Sequence, residues 1–473
     1  MKQTFRRTTQ QPCCPTTSSW LSWLLVLVAL FLPPPAHARS LTLDQAVSLA
    51  LRKSVKVAKS RQLLRQVDAK RKSVRGNLLP QLSVEGNLLY WDDDVAFDFG
   101  LDKLQIAPGC EQTAACMLPL LTAFDFGPIR EQITAQLTVQ IAQPITPLYQ
   151  IFKGYQAAKL GAQAARVGVR LSAQQVADAA RQAYIRVKQA QGSVSIAQAA
   201  VKQVQAQLKT VKAFRRAGLS SRNDVLKVQV GLARAQGAAV QAKAGLELAT
   251  AALAIEIGLP PSEEIEPRER FADPPPSFEL TFGACIERAA KRRPELKAVA
   301  LQKRIAEKSS EATRGAMLPQ LSAIGSYQRT EGQGFAMPKN AFFVGGVLSW
   351  KFTWGTSYYA YREAQEKVVN AELTQRQARD GVYLDVKKAY LELKTAEQQL
   401  FIARVAVKQA EESYRIEEAK YKKSSATTTD VLDAQLSLSR SKLSYNNALY
   451  GWYLSHSALG RAMGEEPMTG RTL

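Results

Sequence analysis

Side chains able to do chemistry are scarce in this chain. Its 473 residues include two histidines and five cysteines, too small a stock for metal or nucleophile chemistry. No Ser-His-Asp set, phosphate loop or paired zinc motif is present, so an enzyme is not expected. What remains is carboxylates and a pair of thiols. Asp430 and Asp433 stand three apart in the segment DVLDA, a spacing that on a helix puts both on one face. Asp430 would equally suit the positive first turn of a helix. Asp224 sits in an earlier copy of the same DVL motif. Cys110 and Cys116, with five residues between them, suit a small disulfide loop in an oxidising compartment. Two free thiols, or pairing with Cys285, fit the same inventory. Asp92, Asp93, Asp94, Asp98 and Asp102 crowd the same stretch without calcium-loop spacing, and so read as a solvated acidic loop.

The front end addresses the chain to export. Lys2, Arg6 and Arg7 precede an apolar run from Trp20 to Leu32, and Ala36-His37-Ala38 is a small-residue cleavage pattern. Residues 1–38 therefore read as a secretory signal peptide, the run being too short for a spanning helix. Cleavage takes three positive charges from a net +22, leaving +19. So basic a chain suggests nucleic acid, but export argues against that partner, and a basic solvated surface is the expectation.

The elements that position these residues are written twice. RGNLLPQLS at 75–83 returns as RGAMLPQLS at 314–322, and AGLSSRNDVL at 217–226 pairs with SSATTTDVL at 424–432. The two offsets, 239 and 206, differ by 33, which places a 33-residue insertion in the first copy between Tyr90 and Thr134. The chain divides accordingly into 39–267 and 268–473, one architecture used twice. Residues 43–77 and 282–316 read as helices. Residues 150–213 and 358–421 read as helices of roughly 95 Å at 1.5 Å per residue, and 222–258 and 427–464 as their returns. Val225, Val228, Leu232, Ala235, Ala239, Ala242, Leu246, Ala249 and Leu253 alternate spacings of three and four, a coiled-coil seam. Asn223 or Thr429 is placed to cap the return helices. The small seam residues bury little area, so lateral association is expected.

Between the helices the period drops to two. Leu82–Tyr90, a stretch around Leu137, Val139 and Ile141, one from Leu321 and one over Val344–Trp354 read as four strands, each long enough to cross an outer-membrane bilayer when tilted. Tyr90, Trp91, Tyr327, Trp350 and Trp354 are candidates for interfacial girdles. Four strands cannot close a barrel, and open edges in lipid leave backbone groups unpaired. Several chains would have to pool them.

The opening LTLDQAVSLAL at 41–51, the twice-used LPQLS, the tip turns ending in DVL and the SALG at 457–460 together resemble the TolC family of outer-membrane efflux proteins, in order and across the mature chain. The resemblance implies a mainly α chain of long coiled-coil hairpins with a membrane β-barrel part. Three chains would share a 12-stranded barrel above an α-helical tunnel crossing the periplasm of a Gram-negative-type cell. It implies a homotrimer working with a periplasmic adaptor, an inner-membrane pump and outer-membrane lipid, in efflux or type I secretion. Asp430 and Asp433 match the acidic rings of the aperture, which in three copies would favour cations and raise each other's pKa. Tyr421 and Asp224 match two members of the gate latch, whereas the arginine member is Ala426, leaving Arg222 or Lys423 as substitutes. Gly218, Leu219, Ser220, Ser424 and Ser425 match the adaptor-docking tips. The rival reading is a soluble periplasmic coiled-coil scaffold whose apparent strands are loops. No cofactor, metal or nucleic acid is implied.

Overall fold

Strict alternation of apolar and polar residues has one stable outcome, a sheet with two unlike faces. In the computed structural model, which describes residues 39–96, 128–263, 265–334 and 337–465, four long strands realise it: β2 (Gln81–Tyr90), β4 (Pro128–Pro144), β6 (Gln320–Gln333) and β7 (Asn340–Ser349). They pair antiparallel in the order β2-β4-β6-β7, and a two-residue β3 (Val95–Ala96) also pairs with β4. The predicted signal peptide and the insertion bearing Cys110 and Cys116 lie outside the described residues.

Register decides what each face carries. Leu82 opposes Ile141, Val84 opposes Val139, Leu88 opposes Ala135 and Tyr90 opposes Ile133. Val139 in turn meets Tyr327, which meets Phe342, while Ile141 meets Gly325, which meets Val344. These residues make one continuous apolar face left bare in the chain: Leu88 is 74% and Phe342 73% exposed. The other face carries Ser83, Glu85, Asn87, Gln136, Thr138, Gln140, Ser326 and Gln328. The predicted last strand, 344–354, is displaced toward the N-terminus and starts four residues earlier, at Asn340. It stops at Ser349 instead of Trp354, because its partner β6 begins only after Pro319, which has no N–H to give. Trp350, Phe352 and Trp354 follow as exposed rings stacked edge to face.

Helices supply the rest. After the short β1 (Arg39–Leu41) come α1 (Leu43–Lys53) and α2 (Val55–Gly76); after β4 come α3 (Pro147–Arg216) and α4 (Arg222–Glu256). The second copy runs β5 (Ile265–Pro267), α5 (Phe282–Arg292), α6 (Pro294–Gly315), β6, β7, α7 (Thr356–Lys422) and α8 (Thr428–Ala462). Two helices expected to be continuous, 43–77 and 282–316, are each broken. Ser54 and Arg293 leave the helical region, the latter because a residue before proline is pushed to an extended conformation. The 70 residues of α3 span about 105 Å.

The predicted seam on α4 holds throughout, with all nine of its residues buried or half-buried. It packs α4 against α3, as Val431, Ala434, Leu438, Trp452 and Leu459 pack α8 against α7. The contact joining the two hairpins, α3 against α8, is different in kind. It is a polar ladder. Ser457 Oγ donates to Asp178 Oδ1 at 3.2 Å and Arg461 Nε pairs with Asp178 Oδ2 at 3.3 Å. Gln189 Nε2 donates to Asn447 Oδ1 at 2.9 Å, and Asn446 Nδ2 to the Gln189 carbonyl at 2.9 Å. Burial pushes the Asp178 carboxyl above the ordinary range, against the pull of Arg461.

Asn446 lies flat on Gly192. A Cβ there would come within 2.0 Å of Asn446 Oδ1. Gly192→Ala is expected to cost about 1–3 kcal/mol through overpacking, read as an earlier thermal midpoint in detergent. Adding Asn446→Ala should recover part of that loss; a Gly192→Ala protein as stable as the parent would refute this contact.

A strap between β5 and α5 binds one face of the hairpins. Tyr184 on α3 accepts at its hydroxyl from the Glu269 N–H at 3.1 Å, and Lys188 reaches the Pro267 carbonyl at the end of β5. On α8, Tyr445 and Arg404 of α7 hold Asp273, and Tyr453 donates to the Ala272 carbonyl. His456 stacks on Trp452 and meets Phe278 edge-on. Burial holds its imidazole below the ordinary histidine range, so it is neutral at pH 7 and part of the packing.

Candidate functional site at the helical tips

The tips are built by matched local chemistry. Gly218, at φ +78, ends α3 in the left-handed region, and the Leu219 N–H reaches back to the Phe214 carbonyl at 2.9 Å. Ser424 takes the same place after α7 at φ +61, and the Ser425 N–H reaches the Lys420 carbonyl at 2.8 Å. Leu219 is 67% exposed at the apex, and Ser424 and Ser425 are exposed beside it. The residues expected to dock a partner therefore lie at the free ends of the hairpins.

The caps are Ser221 and Thr427, not the expected Asn223 and Thr429. In each case a carboxylate three residues on completes a capping box. Asp224 Oδ2 accepts from the Ser221 N–H at 2.9 Å and from Ser221 Oγ at 2.6 Å. Asp430 Oδ2 accepts from the Thr427 N–H and Oγ1, both at 2.8 Å. The requirement for an acid at the third helical position fixes the cap, a signal present in the sequence as S-x-x-D and T-x-x-D. These donors hold both carboxyls below the usual carboxylate range: the Ser221 hydroxyl leads for Asp224 and the Thr427 N–H for Asp430. Within one chain the pull on Asp430 is thus opposite to the like-charge effect expected of three copies. Asp433, one turn on, is exposed and stands clear of the cap.

Tyr421 is buried, 6% exposed. Its ring stacks on Phe214 of the other hairpin with centroids 5.5 Å apart. Thr428 Oγ1 lies 3.4 Å from its hydroxyl. Around the pair close Val204, Val211, Val225, Val228 and Val431, with Ala426 packed at the edge. Lys227 Nζ donates to Thr429 Oγ1 at 3.1 Å, a second tie between the hairpins. Phe214 and Lys227 as cross-hairpin partners were not legible in the sequence, since they lie about 200 residues from the groups they touch. Arg222 and Lys423 are exposed.

Cys285 is a free thiol on the buried side of α5. Among the described residues no cluster of three or more His, Cys, Asp or Glu could hold a metal ion.

Against this geometry the comparisons fall in one class. Residues 285–465 match the family model described as outer membrane efflux protein. The fold is that of solved outer-membrane channels. The CmeC channel of Campylobacter jejuni aligns with a TM-score of 0.74 over 89% of this chain and 85% of its own, at 16% identity. VceC of Vibrio cholerae gives 0.72 over 89% and 96%, at 15% identity. The open state of Neisseria gonorrhoeae MtrE gives 0.70 over 91% of each chain, at 17% identity. No curated protein sequence matches. The second half of the chain thus carries the sequence pattern of the outer-membrane efflux proteins, and the chain as a whole carries their fold.

Proposed function

We propose that three copies of this chain form an outer-membrane efflux channel, the exit duct of a tripartite efflux or type I secretion assembly. One observation carries the reading. The chain presents a bare apolar sheet face with two unpaired edges, joined to helices about 105 Å long, with an apolar flank left uncovered. Strands β2 and β7 have no outer partner among the described residues, a state lipid does not tolerate. Pooling three sheets into 12 strands removes every edge.

The helices repeat the argument. Beyond its buried seam, α4 bears a second stripe on the opposite side: Leu226, Val230, Val240, Leu248 and Ile255, all about half exposed or more. Facing it in a neighbour would be the exposed apolar side of α7, with Leu384, Leu391 and Ile402. A helix apolar on two opposite sides belongs in a wall with a neighbour on each.

The tips are then the inner aperture, with Asp430 and Asp433 around it and Asp224 and Tyr421 in its gate. Gly218, Leu219, Ser220, Ser424 and Ser425 would meet a periplasmic adaptor and, through it, an inner-membrane pump. Near the tips the seam between hairpins is incompletely satisfied: Gln207 Nε2 and Gln435 Oε1 are buried without partners. Such groups favour a joint that opens.

Cell fractionation followed by reconstitution in planar bilayers tests the proposal. The expected result is extraction with the outer membrane only by detergent, a trimeric mass and ion conductance. Release as a monomer in osmotic-shock fluid would instead establish the periplasmic scaffold. Crosslinking from Ser220 or Ser425 would then identify the adaptor.

A further inference from the structure

We infer that Arg234 and Arg440 form an anion-selecting collar inside the tube, one heptad above the aperture; the inference rests on the duct reading. A helix in a single-layered wall has two flanks and two faces. On α8 one flank takes α3 through Gln435 and Asn446, and the other takes α7 through Leu438, Trp452 and Leu459. One face takes the strap, through Tyr445, Tyr453 and His456. A strap inside a conduit would plug it, so that face is the outside. The opposite face is an exposed stripe at heptad spacing: Asp433, Arg440 and Asn447.

The offset of 206 that aligns the two copies carries this stripe onto α4 as Lys227, Arg234 and Gln241, also exposed. On α4 it runs between the buried seam and the bare apolar stripe, on one of the two faces that a wall helix leaves free. At the aperture level, then, each chain carries one cation, Lys227, which acts on Asp224 one turn back, and one further acid, Asp433. Asp430 stands beside them in its capping box. Nearby on α7, Glu417 is already paired with Lys420 at 2.8 Å.

Seven residues up, about 10 Å along the helix, both copies place arginine. Neither Arg234 nor Arg440 makes an ion pair among the described residues. Three chains would bring six guanidiniums to one level. Counting Lys227, Arg234 and Arg440 against Asp224, Asp430 and Asp433 leaves the tip neutral per chain, with both arginines standing at the level above the acids. Rings of arginine or lysine select anions, and a narrow low-dielectric wall strengthens their field. Above the collar the stripe is uncharged, with Ala238 and Gln241 on α4 and Ser444 and Asn447 on α8. The collar is therefore the dominant charge on this stripe of α4 and α8. It reverses the cation preference that acidic rings alone imply, and suits carboxylate- or phosphate-bearing cargo.

The test is the reversal potential of the purified trimer in planar bilayers across a potassium chloride gradient. Chloride should permeate better than potassium. Arg234→Gln with Arg440→Gln should lower the chloride-to-potassium ratio several-fold, and each single change should lower it in part. Lys243→Gln, which removes an equal charge from the opposite face of α4, should leave it unchanged. A potassium-selective parent, or a double variant with an unaltered ratio, overturns the collar while leaving the duct standing. A correctly assembled trimer with no conductance overturns both.

Discussion

Val139→Arg is expected to abolish assembly in the membrane, while Thr138→Arg, one residue away, leaves it nearly intact. The register puts Val139 between Val84 and Tyr327 on the apolar face, near the middle of the sheet, and Thr138 between Glu85 and Gln328 on the polar one. A lipid-facing arginine at the bilayer midplane costs roughly 2–4 kcal/mol. A trimer repeats the substitution three times, so the assembled barrel would lose about 6–12 kcal/mol, comparable to the whole stability of a typical domain. At position 138 the same side chain would enter the aqueous lumen. Heat-resistant trimer on unheated gels, and the midpoint of urea unfolding from vesicles, report the difference. Equal behaviour of the two variants would mean the strands do not face lipid on one side, and the scaffold reading would return.

The second large effect concerns Tyr421. Its ring fills the core between the two tips, so Tyr421→Ala should cost about 3–5 kcal/mol, the usual price of emptying a buried aromatic site, and should raise resting conductance by loosening the hairpins. Tyr421→Phe separates packing from latching. Among the described residues the only hydroxyl contact is the long one to Thr428, so a purely packing role predicts a parent-like stability and leak. A latch between neighbouring chains predicts parent-like stability but a higher leak, which Asp224→Ala should share. Asp224→Ala carries its own expected loss of about 1 kcal/mol, because it removes half of a capping box. Stability and leak must therefore be measured on the same preparations. Equally low leak in Tyr421→Phe and Asp224→Ala would remove both residues from the gate.

Legibility in the sequence followed the range of the interaction. The coiled-coil seam on α4 was readable because a 3.5-residue period is a local property, and packing respected it along the whole helix. The strand over Val344 was placed four to five residues too late because both its ends depend on its partner, which starts at Gln320 after Pro319 and pairs Arg329 with Asn340. The break at Arg293 was local, a consequence of Pro294, and was legible in principle. The break at Ser54 has no such mark. The caps at Ser221 and Thr427 were likewise written in the S-x-x-D and T-x-x-D spacing, although the neighbouring Asn223 and Thr429 competed for the assignment.

Sequence alone, then, determined the repeated plan, the long paired helices, the alternating strands and the position of DVL at each tip, all of which follow from periodicity and nearest-neighbour backbone chemistry. Tertiary structure decided which residues meet. It put Tyr421 on Phe214, Asn446 on Gly192 and Asp178 under Arg461, and left Arg440 on the face of α8 away from the strap. Those contacts join positions up to about 280 residues apart, and nothing in a local period encodes which side of a helix a distant segment will cover.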